Sequence, residues 1–264
     1  MSVITEVAAG TFCWPELCSA DAKASKKFYS ALFDWESDDL HMPEGDYTFL
    51  RLDGQRLGSM YQMKEERKLA GILPHWNSYV AVTDADEAAK TTTSLGGKVL
   101  TKPFDADGDR MANLQDPTGA KFCVWEARKQ SETVRLNEIG ALCWTELYTH
   151  DTAKASAFYA GLFGWRAKSW DGGPTPYTVF EPEGQDRPFA GMLEITEEMQ
   201  DRQPQWIPYF QVGDTDKIAR QARKLRAQIY GPVDIPTIGR MAMIVDPQGA
   251  HFAVITLNCQ QQQQ

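Results

Sequence analysis

The sequence predicts an α+β protein: four βαβββ modules (strand, helix, three strands) forming two homologous domains, each a curled sheet around a cleft. Three observations carry this reading. The chain repeats itself at constant spacing, each half alternates strand-like and helix-like runs twice, and each half closes on the same Asp-Pro-x-Gly turn. Cys13-Trp14-x-Glu16-Leu17 returns as Cys143-Trp144-x-Glu146-Leu147, and Arg110-Met111-Ala112 as Arg240-Met241-Ala242. Phe28, Tyr29, Leu32, Phe33 and Trp35 return as Phe158, Tyr159, Leu162, Phe163 and Trp165. Asp116-Pro117-x-Gly119-Ala120-x-Phe122 returns as Asp246-Pro247-x-Gly249-Ala250-x-Phe252. The offset is 130 throughout (143 − 13 and 246 − 116). Solenoid repeats have periods of about 20–50 residues, so an offset this long marks two ordinary domains fused head to tail.

Within the first copy, Phe12–Leu17 reads as a strand. Asp21 then caps a helix whose apolar residues, Ala24 or Ser25, Phe28, Tyr29 and Leu32, share one face. Tyr47–Leu52 and Leu57–Met63 follow as strands around the turn Asp53-Gly54. The second module opens with a strand at Trp76–Val82 and a helix from Asp84 to Gly96-Gly97, where a residue free to take positive φ is expected. Strands at Lys98–Thr101, Arg110–Gln115 and Lys121–Glu126 complete it, the last two joined by Asp116-Pro117-Thr118-Gly119. The second copy repeats this, with helices after Asp151 and Asp214. The charged stretch Glu126–Glu138 separates the copies. The expected domains are residues 1–128 and 139–259, with a linker at 129–138 and a disordered tail at 260–264. A module with a helix on one face of its sheet leaves the other face open, so pairing modules creates a cleft suited to a small ligand.

Charge and composition narrow the function. A net charge of −9 over 264 residues argues against nucleic acid or an anionic membrane as partner. No apolar run reaches the roughly 18 residues that span a bilayer, and the first residues lack the pattern of a signal peptide, so the cytoplasm is the expected compartment. Five cysteines, none in a CxxC pair, argue against a disulfide framework or a zinc knuckle.

The four modules, the Phe-Tyr-x-x-Leu-Phe-x-Trp helices and the Asp-Pro-x-Gly-Ala turns resemble the vicinal oxygen chelate superfamily. That group includes glyoxalase I, bleomycin resistance proteins and extradiol dioxygenases. The resemblance covers roughly Ala9 to Leu257 and is nearest to tandem, two-domain glyoxalase-like bacterial proteins. It implies the fold strongly and the activity weakly, because one fold hosts many chemistries. Metal-using members of the superfamily place His, Glu or Gln on the first and last strands of each module. Counting along the matching motifs puts those positions at Trp14, Ser78, Trp144, Pro208, Cys123 and Ala253; the nearest acid on the remaining strands is Glu194. Indole, proline and alanine do not coordinate, so no metal and no other cofactor is expected.

Glu16 and Glu146 lie two residues beyond Trp14 and Trp144, on the same strand face. A carboxylate among indoles can have a raised pKa and serve as a general base; equally, it can be a structural Glu tied to a neighbouring strand or to Arg110 or Arg240. Those two arginines either clamp an anionic oxygen of the ligand or pair with the glutamates. Trp14, Trp76, Tyr79, Trp144, Trp206 and Tyr209 can wall a pocket for a flat ligand, although strand aromatics more often sit in the core. His251, two residues before Ala253, shares its face, and His75 adjoins Trp76. The expectation is a glyoxalase-like, small-molecule-binding protein, monomer or homodimer, acting as a metal-independent lyase or isomerase on an organic metabolite. Two alternatives stay open: sequestration without catalysis, as in bleomycin resistance, and a metal-dependent glyoxalase or dioxygenase.

Overall fold

The computed structural model describes residues 7–42, 45–128, 134–173, 175–199 and 202–258. The expected tail, Cys259 and linker residues 129–133 lie outside them. The first copy runs β1 (Phe12–Ser19), α1 (Ala22–Phe33), β2 (Glu36–Leu40), β3 (Tyr47–Leu52) and β4 (Gln55–Gln62). A short helix, α2 (Glu65–Leu69), leads to β5 (His75–Ala81), α3 (Ala85–Ser94), β6 (Lys98–Ala106), β7 (Asp109–Gln115) and β8 (Lys121–Glu126). The second copy runs β9 (Leu142–Thr149), α4 (Thr152–Phe163), β10 (Arg166–Trp170), β11 (Tyr177–Glu181) and β12 (Ala190–Glu194). After a 3-10 turn at Glu197–Met199 come β13 (Gln205–Gln211), α5 (Thr215–Lys224), β14 (Gln228–Ile235), β15 (Gly239–Val245) and β16 (His251–Leu257).

Each copy makes one open eight-stranded sheet, ordered β2-β3-β4-β1-β5-β8-β7-β6 and β10-β11-β12-β9-β13-β16-β15-β14. The first strands of the two modules, β1 and β5, pair antiparallel at the centre, each flanked by the parallel last strand of its own module. Aspartate caps all four long helices: Asp21, Asp84, Asp151 and Asp214 each accept from the backbone N–H three residues on. At the end of α1 the left-handed residue is Asp34 (φ 59°), and at the equivalent end of α4 it is Gly164 (φ 72°). None of the described helices is long and apolar enough to cross a membrane.

The copies share one core. Leu17, Tyr29, Trp35, Trp76 and Phe122 of the first copy join Leu147, Tyr159, Trp165, Trp206 and Phe252 of the second in one buried cluster. The two sheets meet back to back at their centres, where Trp76 and Phe210 lie 5.3 Å apart and Phe12 and Trp206 4.8 Å apart. α1 packs beside α5 and α4 beside α3, so each copy's first helix rests on the other copy's second module. The Trp35 indole donates to Gly140 O (2.8 Å) and Trp165 to Gly10 O (2.6 Å), both across the boundary.

Three features differ from the sequence reading. β2 and β10 are edge strands whose charged, exposed residues carry no apolar alternation. α2 has no buried face. The second half of the linker docks on the first domain: Val134 and Leu136 are buried, and Arg135 pairs with Asp53 (2.8 Å) and Glu138 (2.8 Å).

Candidate functional site

The face of each sheet turned away from the shared core carries the candidate site. On β1 a register shift between Phe12 and Trp14 sends Trp14, Glu16 and Cys18 to this face and Leu17 to the core. Glu16, Tyr79 and Cys123 on this face are almost completely buried, packed under their neighbours on the sheet; the concave side they line is the cleft.

At the centre of the first cleft stands Glu16, 6 % exposed. Its Oε1 accepts from the Tyr47 hydroxyl (2.8 Å) and the Ser59 hydroxyl (3.4 Å). Its Oε2 accepts from Tyr79 (2.9 Å) and from the Asn77 amide (3.3 Å). Ser59 Oγ lies 2.8 Å from the Tyr47 oxygen and accepts from the Trp14 indole (2.8 Å). The second cleft repeats the arrangement around Glu146, 4 % exposed. Tyr177 donates to Oε2 (2.7 Å) and Tyr209 to Oε1 (2.8 Å), while Trp144 donates to the Tyr177 oxygen (3.0 Å). Gly191 replaces Ser59 at the matching place in the register. A side chain there would run into the Tyr177 hydroxyl, which explains why the tryptophan bonds the tyrosine directly.

Burial raises the pKa of both glutamates, against the opposing effect of the tyrosine hydroxyls, which favour the charged form. Each carboxyl can therefore bind a proton nearer neutrality than an exposed one. The cleft thiols Cys13 and Cys123 are pushed far up by burial, so neither is a nucleophile.

Of the residues singled out in the sequence, Trp14, Glu16 and Tyr79 come together in the first cleft, and Trp144, Glu146, Tyr209 and His251 share the cleft face in the second. Trp76 and Trp206 do not join them. They face the core, where their indoles donate to the Tyr29 (3.2 Å) and Tyr159 (2.8 Å) hydroxyls, because residues 76 and 79 fall on opposite faces of a strand. Ser78 and Pro208 share that core side, so the ligand-position count was one residue out of register on β5 and β13. Glu194 is exposed at the end of β12.

Arg110 and Arg240 are also elsewhere. They share a face with Ala112 and Ala242, which are buried in the core cluster, and lie at its edge. Arg110 holds Asp86 on α3 (2.5 Å) and Asp105 on β6 (2.9 Å); Arg240 holds Asp216 (2.7 Å) and Asp234 (2.9 Å). They lock helix to sheet and touch neither glutamate. His75 is half-buried, with Nδ1 2.7 Å from Leu73 O. Sequence reasoning missed Tyr47 and Tyr177. Both sit at the 130-residue offset and alternate into the cleft, so the signal was present.

A divalent cation wants three or more converging anionic or imidazole donors. Glu16 spends both oxygens on neutral donors, and beside it stand only hydroxyls, an amide and a protonated thiol. Around Glu146, the positions matching Ser59 and Cys123 are Gly191 and Ala253. Among the described residues no three His, Cys, Asp or Glu side chains are placed to hold a metal ion. The donor sets do not fit such an ion.

A glyoxalase-like domain model matches residues 16–125. The chain is 35 % identical over 260 residues to CFP32 of Mycobacterium tuberculosis, provisionally assigned as a glyoxylase, covering 95 % of this chain and 96 % of that one. It is 32 % identical over 267 residues to the anthracycline biosynthesis protein DnrV of Streptomyces peucetius, covering 96 % of each. In structure it is similar to a Mn(II)-bound glyoxalase from Novosphingobium aromaticivorans (TM-score 0.65, 13 % identity, 94 % of this chain and 82 % of that one). The 2,3-dioxygenase LapB from Pseudomonas sp. KL28 is also similar (TM-score 0.63, 11 % identity, 93 % and 91 %).

Proposed function

Because the chain belongs to the glyoxalase-like proteins of the vicinal oxygen chelate superfamily, we propose that it binds a small, flat organic molecule in each cleft and moves a proton on it without a metal. The observation that carries this reading is the Glu–Tyr–Tyr set, Glu16 with Tyr47 and Tyr79 and Glu146 with Tyr177 and Tyr209, repeated in both domains. A buried carboxyl of raised pKa takes a proton from a carbon beside a carbonyl and returns it to a neighbour, as an isomerase or lyase requires. The two tyrosine hydroxyls hold the carboxyl in place and steady its charged form. Trp14 and Phe49 (ring centroids 6.4 Å apart) and Trp170 and Tyr177 (5.8 Å) supply flat apolar walls.

A second reading, binding without turnover, is favoured by one observation: both oxygens of each glutamate already accept hydroxyl donors, and Arg110 and Arg240 are committed outside the clefts. The relatives' names direct a ligand panel to glyoxalase substrates and anthracyclines. Tryptophan fluorescence reports binding, and deuterium uptake from solvent into the bound compound reports proton transfer. Exchange lost in the Glu16→Gln, Glu146→Gln double variant supports catalysis. Saturable binding without exchange supports sequestration. No binding by any panel member sinks both.

A further inference from the structure

One end of each cleft carries an arginine that the internal repeat does not explain. Arg67 stands on α2 and Arg202 just before β13, in segments that connect the modules and do not follow the 130-residue spacing (202 − 67 = 135). The Arg67 charge acts on Cys18, Tyr61, His75 and Cys123 along one run of the first cleft. The Arg202 guanidinium lies over the Tyr148 ring at 4.3 Å, and its charge reaches Glu146 and His251. The last strand adds a second basic group at repeat-equivalent places, Lys121 opening β8 and His251 opening β16 (251 − 121 = 130). Lys121 acts on Cys18 and His75 together with Arg67.

These groups are short of partners. Arg67 Nε, Arg202 Nη1 and His251 Nδ1 are buried atoms with no hydrogen-bond partner, and the one side-chain hydrogen bond seen on Arg202 among the described residues goes to the neutral Tyr148 hydroxyl. Buried donors are nearly always paired in folded proteins, so each unmet one calls for an explanation. The chain carries nine net negative charges, yet among the described residues no carboxylate pairs with either arginine. Two segments of different length have delivered the same charge to the same end of both clefts, so simple copying of one domain does not account for it. A planar guanidinium with an unmet N–H matches a carboxylate. In the first cleft the Lys121 ammonium adds charge, while in the second burial and the Arg202 charge push the His251 pKa down, so its imidazole adds a hydrogen-bond donor and not a second charge.

We propose that this end of each cleft is a carboxylate-binding subsite, Arg67 with Lys121 in the first domain and Arg202 with His251 in the second. The ligand is then an organic acid, its flat body against the cleft aromatics and its carboxylate on the arginine. The inference rests on the clefts being ligand sites, as proposed above.

The test compares 2-naphthoate with neutral 2-naphthamide on the full chain by tryptophan fluorescence, alongside acetate titration of the arginine Nε–H NMR signals. Naphthoate should bind roughly tenfold tighter than naphthamide. The Arg67→Gln, Arg202→Gln double variant should lose that preference while keeping its affinity for naphthamide, and acetate should move the Arg67 and Arg202 signals. Equal binding of both probes, or a preference that survives the double variant, overturns the subsite and leaves the aromatic cleft standing. Acetate shifts without naphthalene binding support the subsite and count against the flat-ligand reading. Silence in both measurements overturns both. Matching circular dichroism and thermal melts establish that the variant is folded.

Discussion

The Tyr29 hydroxyl donates to Asp246 Oδ2 at 2.9 Å, and Tyr159 does the same to Asp116 Oδ2 at 2.9 Å, so each domain's first helix is fastened to the closing turn of the other. The other oxygen of each aspartate holds its own turn: Asp116 Oδ1 accepts from the N–H groups of Thr118, Gly119 and Ala120, and Asp246 Oδ1 from those of Gln248 and Ala250. One carboxylate thus shapes a turn and receives the neighbouring domain.

Tyr29→Phe leaves Asp246 Oδ2 and the Trp76 indole N–H without their buried partner. The loss should be about 1–3 kcal/mol of stability, and Tyr159→Phe should match it, since Trp206 repeats the bond. Urea unfolding measures both. A loss confined to one variant would show that the two joints are not energetically equivalent.

These joints show what the sequence could and could not reveal. The repeat made the modules, the caps and the Asp-Pro-x-Gly turns legible, because each depends on local residues at fixed spacing. It could not show that the two copies exchange helices, since nothing local distinguishes Asp246 bonded to Tyr29 from Asp246 bonded to Tyr159. Glu16 and Glu146 were legible through their spacing from the tryptophans. The tyrosines at 47 and 177 carried the same repeat signal, but it did not say that their strands meet β1 and β9 through β4 and β12, which is what brings the hydroxyls onto the glutamates. Arg110 and Arg240 misled for a related reason: strand alternation groups residues by face without saying which face is the cleft. The edge strands β2 and β10 escaped notice because exposed edges favour charge over apolar alternation.

The glutamates should make stability depend on pH. Burial raises both carboxyls above their ordinary 4.5, so the fold binds those protons more tightly than the unfolded chain does. That contribution is complete below 4.5 and fades as pH rises through the raised folded values. The Glu16→Gln, Glu146→Gln double variant, which cannot ionise there, should gain in melting temperature relative to the native chain between pH 4 and pH 8. A constant difference across that range would contradict the shift.

Gly191→Ser tests the difference between the two clefts. The added Cβ meets the Tyr177 hydroxyl and forces it off Glu146. The cost should be about 1–3 kcal/mol by overpacking, and naphthamide binding in the second cleft should weaken. A variant of native stability would mean that Tyr177 has another place to go.

Arg110→Ala and Arg240→Ala should leave probe affinity within about twofold of native, the scatter expected between independent, distant sites. Fluorescence titration decides this. A large loss of affinity would return these arginines to the ligand's neighbourhood, against their pairing with Asp86 and Asp216.

Each first helix lies on its twin's second module, with Phe28 against Phe252 and Phe158 against Phe122. A half made alone would therefore display a ready-made sticky surface whose natural mate is the missing half. Cleaved or separately expressed halves should find one another in solution and rebuild the native particle, much as two hands clasp by interlocking fingers.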